Sequence, residues 1–349
     1  MANTIQLKRG NAADWTAADP TLAAGEFGFE ADTGKYKVGD GSTAWSALGY
    51  FEPAAAAAWS FQGENYGYSV AGIGARTDIQ EFSFASDGNA TDVGDVPLYI
   101  YRQAGHSSSE TGYTSGGWPY ISAANRILKF PFASGGTATA GGDLAVPDRL
   151  YYHAGHSSSE NGYTSGGYGP TESNAIQKFP FSTDADATDV GDLLGAINAV
   201  TGHSSPEYGY TTGGIDTVPA ISNVIQKFPF ASDGNSTDVG DLVTAGLYGV
   251  GLNSDTAGYY VKGYPFLRTI EKFPFASDAN ATDVGDLVFP AQNAAGASST
   301  SSGYTAGGYI SSPAIQTTAI DKFSFSTDSD ATSVGSLVEA ARNNSGCQY

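Results

Sequence analysis

The chain has 349 residues, including 46 glycines and 21 tyrosines, and its formal net charge is −20 at pH 7. Nucleic-acid phosphates and anionic lipids are neutralised by clustered Lys and Arg, which are scarce here, so we expect no nucleic-acid partner and no membrane insertion. The single cysteine, Cys347, excludes an internal disulfide framework and any multi-cysteine zinc site. Abundant glycine and tyrosine favour an all-β protein of short strands and tight turns.

The first fifty residues contain a predicted β-hairpin. Phe27 and Phe29 are expected to pair with Tyr36 and Val38 across the turn at residues 32–34, which gives the hairpin one apolar face. A segment this short rarely forms a stable core by itself. We therefore expect neighbours to cover that face.

Residues 4–50 carry the segments LKRG, GEFGFE and DTGKYKVGDGSTAW at characteristic spacing. This stretch resembles the N-terminal domain of the phage major tropism determinant, a domain found on many tail-fibre and adhesin proteins. The resemblance implies a homotrimer located in the virion, in which residues 1–52 form an attachment and oligomerisation domain that contacts other virion proteins. Residues 53–58, PAAAAA, then form an alanine-rich linker.

A unit that recurs six times occupies residues 59–349. Its clearest motif is I-x-x-F-x-F, or a close variant, and the leading phenylalanines lie 45 to 50 residues apart: Phe82, Phe130, Phe179, Phe228, Phe273 and Phe323. A glycine of a VGDL-like motif follows each of them 12 residues later. Four short strands in a repeat of this length are typical of one propeller blade.

The two ends of the repeat region complement each other. The last residues, SGCQY, match the start of the AGHSSS motif that opens later units, whereas the first unit begins at Trp59 without it. A C-terminal strand that completes the first blade closes the ring and removes exposed sheet edges. The order of motifs resembles kelch repeats, with VGDL in place of the fourth-strand tryptophan. We therefore predict a six-bladed, kelch-like β-propeller.

The repeats differ most in the loop between their second and third strands, because the tyrosine-to-phenylalanine spacing varies there. These loops carry aromatic residues, and rings on rigid loops give contact area and stack on sugars. The predicted ligand-binding residues are Trp118, Tyr120, Tyr168, Tyr264, Phe266 and Tyr309. The alternative is that these rings pack on neighbouring blades or on virion proteins.

Other repeated polar residues are interpreted as structural. His106, His156 and His203 share one repeat position, but Leu252, Ala297 and Cys347 replace them in the other units, so hydrogen-bonded histidines are favoured over a metal site. Asp-rich hairpins such as SDGNATDVGD lack the ligand order of an EF-hand. We predict no metal or other cofactor, with calcium as the alternative. Five repeated lysines are expected to pair with nearby aspartates.

No nucleophile elbow, metalloprotease motif, P-loop or dinucleotide fingerprint is present in the sequence. The predicted function is that of a non-enzymatic tail fibre or receptor-binding adhesin that recognises a host-surface glycan or protein. One alternative is a decoration or fibre protein of the capsid, neck or tail with only virion partners. A third is a glycan-degrading enzyme, which requires a pocket with paired carboxylates.

Overall fold

The computed structural model describes residues 8–50, 62–74, 76–118, 125–146, 149–216, 220–290 and 292–349. The chain forms two compact units, Met1–Trp59 and Ser60–Tyr349. The expected linker at residues 53–58 lies outside the described residues. Every helix within the described ranges is too short or too polar to cross a membrane.

The N-terminal unit contains a three-stranded sheet. Strand Lys8–Gly10 runs parallel to Phe27–Glu30, which pairs antiparallel with Tyr36–Val38. Phe27 lies opposite Val38 and Phe29 opposite Tyr36, so the predicted hairpin register is confirmed.

Two short helices complete this unit, and the sequence analysis predicted neither. An α-helix spans Ala12–Ala18 and a 3-10 helix spans Trp45–Ala47. The backbone N–H of Asn11 donates to the Asp14 carboxylate at 3.4 Å, which helps to satisfy the free amides at the helix start.

The core of the N-terminal unit lies on the sheet face opposite the predicted apolar one. It consists of Trp15, Leu22 and Trp45, with the two indole rings stacked at 4.3 Å. The hairpin side chains on the other face stay accessible: Phe27 is 41% exposed, and Tyr36 is half-buried. The unit thus presents an apolar hairpin face.

The second unit is a six-bladed β-propeller, built of six four-stranded antiparallel sheets. The inner strands are Ser345–Gln348, Ala104–Ser107, Ala154–Ser157, Thr201–Ser204, Val250–Asn253 and Ala295–Ser298. The second strands are Tyr66–Gly72, Thr111–Ser115, Asn161–Ser165, Tyr208–Thr212, Ala257–Val261 and Ser302–Ala306. The third strands are Arg76–Ser83, Arg126–Pro131, Ala175–Pro180, Val224–Pro229, Thr269–Pro274 and Ala319–Ser324. The outer strands are Thr91–Asp95, Thr139–Asp143, Thr188–Asp192, Thr237–Asp241, Thr282–Asp286 and Thr332–Ser336. In blade 6 an extra hairpin, Tyr309–Ser311 with Ala314–Gln316, extends the loop between the second and third strands.

The C-terminal strand closes the ring, as predicted. Ser345–Gln348 pairs antiparallel with Tyr66–Gly72 and supplies the inner strand of blade 1. The inner strands approach so closely that a Cβ atom on Gly346 would lie 1.9 Å from the carbonyl oxygen of Gly296. Six equivalent glycines make such contacts around the ring: Gly105, Gly155, Gly202, Gly251, Gly296 and Gly346. Only glycine fits these contacts without displacing the adjacent strand.

Aromatic pairs fill the space between neighbouring blades. The ring of Tyr163 in blade 3 stacks on Phe230 of blade 4 at 4.7 Å, and its hydroxyl donates to the Phe230 carbonyl at 3.2 Å. The equivalent ring pairs are Tyr68–Phe132, Tyr113–Phe181, Tyr210–Phe275, Tyr259–Phe325 and Tyr304–Phe84. The repeated aromatic residues thus hold the blades together by burial and ring stacking.

The repeated lysines also join neighbouring blades. Each one bonds to an aspartate in a turn of the next blade: Lys129–Asp184, Lys178–Asp233, Lys227–Asp278, Lys272–Asp328 and Lys322–Asp87. Glu81 replaces the lysine in blade 1, and Gly135 replaces the aspartate in blade 2. Both partners of the sixth pair are therefore absent together, and Glu81 instead accepts a hydrogen bond from Tyr68 at 2.8 Å.

The inner-strand histidines are hydrogen-bonded links between blades. Nδ1 of His106 bonds to the His156 carbonyl at 3.0 Å, and Nε2 bonds to Ser115 at 2.8 Å. His156 and His203 make the same contacts one blade further on. Because a carbonyl only accepts, Nδ1 carries the proton and Nε2 accepts from the hydroxyl. Burial lowers the pKa of His106 and His203 to about 4 and that of His156 to about 3.

These lowered pKa values predict acid sensitivity of folding. Above about pH 6.5 the histidines are neutral in both states, whereas below it the unfolded chain binds protons that the folded propeller does not. Stability is therefore lost as the pH falls from about 6.5 toward 4, by roughly 1–2 kcal/mol per histidine between pH 7 and 5. Urea unfolding at several pH values measures this slope.

The His203→Leu variant isolates the histidine contribution, because blade 5 already has Leu252 at the equivalent position. We expect a shallower pH slope in this variant even if its stability at pH 7 is lower. Parallel slopes for the variant and the wild type would contradict the assignment.

The glycine contacts predict a steric effect of substitution at the closure. Gly346→Ala should lower the free energy of unfolding by about 1–3 kcal/mol, because its methyl group meets the neighbouring backbone. Gly195→Ala is the matched control, since a Cβ atom there meets nothing within 4 Å. Thermal unfolding of both variants provides the comparison, and equal melting temperatures would refute a tightly packed closure.

Candidate functional site

One face of the propeller carries both the loops between second and third strands and the connections between blades, since these segments join the same strand ends. We call it the loop face, and the opposite one the turn face. Of the predicted residues, Trp118, Tyr168, Tyr264, Phe266 and Tyr309 lie on the loop face. Tyr120 lies outside the described residues.

Trp118 and Tyr168 are brought together by a residue that the sequence analysis did not select, Tyr151. Its ring lies 4.8 Å from that of Trp118 and 5.4 Å from that of Tyr168. The guanidinium group of Arg149 lies 4.6 Å from the Trp118 ring centre, and that of Arg102 lies 5.7 Å from Tyr151. These cation–π contacts build a half-exposed aromatic and arginine cluster on the loop face.

The remaining predicted residues form a second cluster. Phe266 lies 5.8 Å from Tyr264 and 6.5 Å from Tyr309, measured between ring centres. Arg342 stacks over Tyr309 at 4.6 Å. Tyr264 is 40% exposed, so this cluster presents an aromatic edge to solvent.

The central channel opens on the loop face through a ring of equivalent residues, here called the collar. The collar residues are Arg102, Tyr152, Ala199, Tyr248, Asn293 and Asn343, with φ between 53° and 65°. Each collar N–H donates to the carbonyl of the collar residue in the preceding blade, at 2.7 to 3.2 Å. The six bonds form a closed ring, which fixes these non-glycine residues in an unusual left-handed conformation.

The collar surrounds a cavity of about 150 Å³. Its wall includes Arg102, Gln103, His153, Thr201 and Asn344, and no Asp or Glu among the described residues lines it. Burial lowers the pKa of His153 to about 3, so this imidazole is neutral at neutral pH. The cavity is therefore polar, with Arg102 supplying a positive charge.

Sequence reasoning missed the collar, although a signal was present. The collar residue stands three positions before the glycine of the A-G-H-S motif, as in RQAGHS and YHAGHS. Its identity varies widely among the six units, whereas the glycine is constant. A repeat alignment that compared this position would have shown a variable residue next to an invariant packing contact.

Exposed apolar side chains concentrate on the loop face. In the described part of the propeller, nine large apolar residues there are 36–60% exposed: Tyr99, Tyr168, Leu194, Val243, Tyr264, Leu267, Phe289, Ile315 and Val338. The turn face has one such residue, Tyr66. The six propeller arginines also lie at the loop-face ends of strands or in its connections: Arg76, Arg102, Arg126, Arg149, Arg268 and Arg342.

The turn face carries the Asp-rich hairpins. Their aspartates include Asp184 and Asp233, which pair with the lysines of the preceding blades. Over the described ranges, no group of three or more His, Cys, Asp or Glu side chains is placed to hold a metal ion. The loop face and the turn face are thus chemically distinct.

Comparison with known proteins gives different matches for the N-terminal unit and for the propeller. Residues 5–43 match the family described as the major tropism determinant N-terminal domain. The hyaluronoglucosaminidase of Streptococcus pyogenes phage H10403 is 47% identical over 49 residues, which are 14% of each chain. The protein of the same name from Streptococcus pyogenes phage H4489A is 48% identical over 46 residues, or 13% of this chain and 12% of that protein.

These two similarities are confined to a small N-terminal region, so the chain matches only 14% and 12% of the length of the two relatives. Over 72% of its length the chain is instead similar to the solved structure titled "Structure of YjhT", with a TM-score of 0.60, 12% identity and 88% coverage of that structure. This likeness concerns the propeller-like fold. The domain match and the phage relatives together support a tail protein of a phage virion.

Proposed function

We propose that this chain is a non-enzymatic receptor-binding protein of a phage tail, and that its loop face binds a glycan or protein of the host surface. The observation that carries this proposal is the asymmetry of the propeller: exposed apolar and aromatic residues, together with the arginines, lie on the loop face. Apolar patches of this kind mark interaction surfaces. The paired lysines and aspartates hold blades together on the other side.

Binding fits the chemistry of the loop face better than catalysis does. The two phage relatives are named as enzymes, but the segment they share with this chain is N-terminal. Glycoside hydrolysis uses a pair of carboxylic acids on either side of the scissile bond. Among the described residues that line the collar cavity, the charged side chain is Arg102, and the neighbours are amides, hydroxyls and a neutral histidine.

The N-terminal unit, residues 1–52 by our assignment, is proposed to attach the protein to other virion proteins and to assemble it as a homotrimer, with residues 53–58 as a linker. The support is the family match over residues 5–43 and the apolar hairpin face, where Phe27 is 41% exposed. Three propellers on one stalk would multiply weak contacts by avidity.

The receptor-binding proposal predicts that exposed loop-face rings are required for attachment to host cells. The Tyr168→Ala, Tyr264→Ala double variant should bind host cells at least about tenfold more weakly, as expected for loss of aromatic anchors. Labelled protein titrated onto cells of the host bacterium measures the affinity.

Tyr66→Ala is the control, because this ring is 36% exposed on the turn face, like Tyr168 on the loop face. It should bind cells as the wild type does. If wild-type protein fails to bind cells, or if all variants bind equally, the receptor-binding assignment is wrong and a decoration role with virion partners replaces it.

The trimer proposal predicts that a charge on the hairpin face prevents assembly. Phe27→Arg should convert a trimer into monomers, because three buried guanidinium groups would repel each other without solvation. Sedimentation equilibrium measures the mass. Ala24→Arg places the same charge at an exposed site off that face and should remain trimeric. A wild-type monomer at micromolar concentration would overturn the proposal.

A further inference from the structure

The turns between the third and fourth strands join each blade to the blade before it. In blade 1, Asp87 pairs with Lys322 of blade 6 at 3.0 Å. The side-chain oxygen of Asn89 accepts a hydrogen bond from the Ser336 N–H of the same blade at 3.1 Å. Residues 87–90, here called the closure turn, therefore hold the first blade of the propeller against the last one.

The backbone of the closure turn is in close contact with blade 6. A Cβ atom on Gly335 would lie 1.9 Å from the Gly88 carbonyl oxygen, so no side chain fits between the two backbones. The same contact recurs between the other blades, where the carbonyl oxygens belong to Gly136, Ala185, Gly234, Ala279 and Ser329. Because packed interfaces contain few voids, a change of backbone length in such a turn displaces the contact.

The turns differ in the residue that follows their first aspartate. This residue is glycine in the pairs Asp87–Gly88 and Asp233–Gly234, whereas alanine or serine follows Asp184, Asp278 and Asp328. All five aspartates pair with a lysine of the preceding blade. A Cβ atom on the following residue hinders its backbone nitrogen from approaching the aspartate side chain, and glycine has none. The five turns therefore compare aspartate before glycine with aspartate before a larger residue in one structural setting.

The atoms that would react are accessible in both Asp–Gly pairs. The side chains of Asp87 and Asp233 are 49% and 40% exposed. Within the part of the chain that the structure describes, the backbone N–H groups of Gly88 and Gly234 donate no hydrogen bond. Each glycine nitrogen can therefore approach the Cγ atom of the preceding aspartate without first losing a hydrogen bond.

A third Asp–Gly pair, Asp40–Gly41 in the N-terminal unit, is held more firmly. The Asp40 carboxylate accepts hydrogen bonds from the Thr43 hydroxyl and from the backbone N–H groups of Ser42 and Thr43. These hydrogen bonds lower the pKa of Asp40. Attack on the carboxyl carbon requires a protonated carboxyl group, so we expect this pair to react slowly.

We propose that Asp87 and Asp233 isomerise spontaneously to isoaspartate. In the first step the Gly88 nitrogen forms a bond to the Asp87 Cγ atom. The carboxyl hydroxyl group and the amide proton leave as water, which gives a cyclic succinimide. Water then adds to the backbone carbonyl carbon of residue 87 and breaks its bond to the glycine nitrogen. The chain now continues through the former side chain, and the former backbone carbonyl becomes a free carboxylate.

Isomerisation at residue 87 lengthens the backbone of the closure turn by one carbon atom. The Gly88 carbonyl then loses its position against Gly335, and the carboxylate that pairs with Lys322 is replaced by one attached directly to the Cα atom. The reaction therefore weakens the contact between the first and last blades. The same reaction at Asp233 weakens the contact between blades 3 and 4.

The test is ageing of the purified full-length protein at neutral pH and physiological temperature for several weeks. Peptide mapping with a protein isoaspartate methyltransferase as the probe measures isoaspartate at each position. It should accumulate at residues 87 and 233 at least about tenfold faster than at residues 40, 184, 278 and 328, because glycine leaves the attacking nitrogen unhindered in an accessible turn.

Gly88→Ala is the matched variant. A Cβ atom at this position meets nothing within 4 Å, and Ala185 and Ala279 occupy it in blades 3 and 5. The substitution should abolish isoaspartate formation at residue 87 and leave it unchanged at residue 233. On ageing, the melting temperature should fall further for the wild type than for the variant.

The isomerisation proposal is wrong if aged wild type has no isoaspartate at residues 87 and 233, or if all six aspartates form it equally fast. An unchanged rate at residue 87 in Gly88→Ala would contradict the role of the glycine. If isoaspartate forms at residue 87 but both proteins lose the same stability on ageing, the predicted weakening of the closure is refuted. None of these measurements depends on binding to host cells.

Discussion

The contact between inner strands around the central channel determines the rest of the propeller. At the closure the backbone of Gly346 packs directly against the Gly296 carbonyl, and a methyl group would lie within 1.9 Å of that oxygen. Strands this close can form a ring only if each blade contributes a glycine at the same height. The ring also needs six inner strands, and the last is supplied by Ser345–Gln348. The tyrosine–phenylalanine pairs then fill the space between neighbouring blades, and the lysine–aspartate pairs join neighbouring blades at their turns.

The same close approach gives the collar its rigidity. Because the inner strands are held at fixed spacing, the residues that lead into them can form a closed ring of backbone hydrogen bonds with left-handed φ values. A left-handed backbone costs free energy in residues that have a Cβ atom, and the closed ring of hydrogen bonds holds the six collar residues in it. The side chains of Arg102, Tyr152 and Tyr248 are thus presented on a frame that does not depend on their identity. A binding surface built on such a frame loses little entropy when a ligand is bound.

Local patterns in the sequence predict most of the fold, whereas they predict less of the site. The blade hairpins, the closure by the C-terminal strand and the register of Phe27 with Val38 follow from spacing and alternation. The exposure of that hairpin face does not follow from these patterns. It depends on the tertiary position of Trp45, which packs on the opposite side of the sheet. Likewise, loop aromatic residues such as Trp118 are visible as a pattern. The contact of Trp118 with Tyr151 joins this loop to a blade connection more than thirty residues away in the sequence, so it depends on tertiary packing.

Differences between the six repeats distinguish positions where two blades contact each other from positions in the collar. Where two blades contact each other, replacement is paired: blade 1 has Glu81 in place of the lysine, and blade 2 has Gly135 in place of its aspartate, so no lysine loses its partner. At the collar, by contrast, arginine, tyrosine, alanine and asparagine occupy one repeat position with the same backbone bonds and no paired change. The backbone bonds of the collar are the same whichever side chain this position carries, so its side chain can differ between blades without loss of the ring. The asymmetry of the collar, with its one arginine, is therefore a part of the propeller that the repeat architecture does not require.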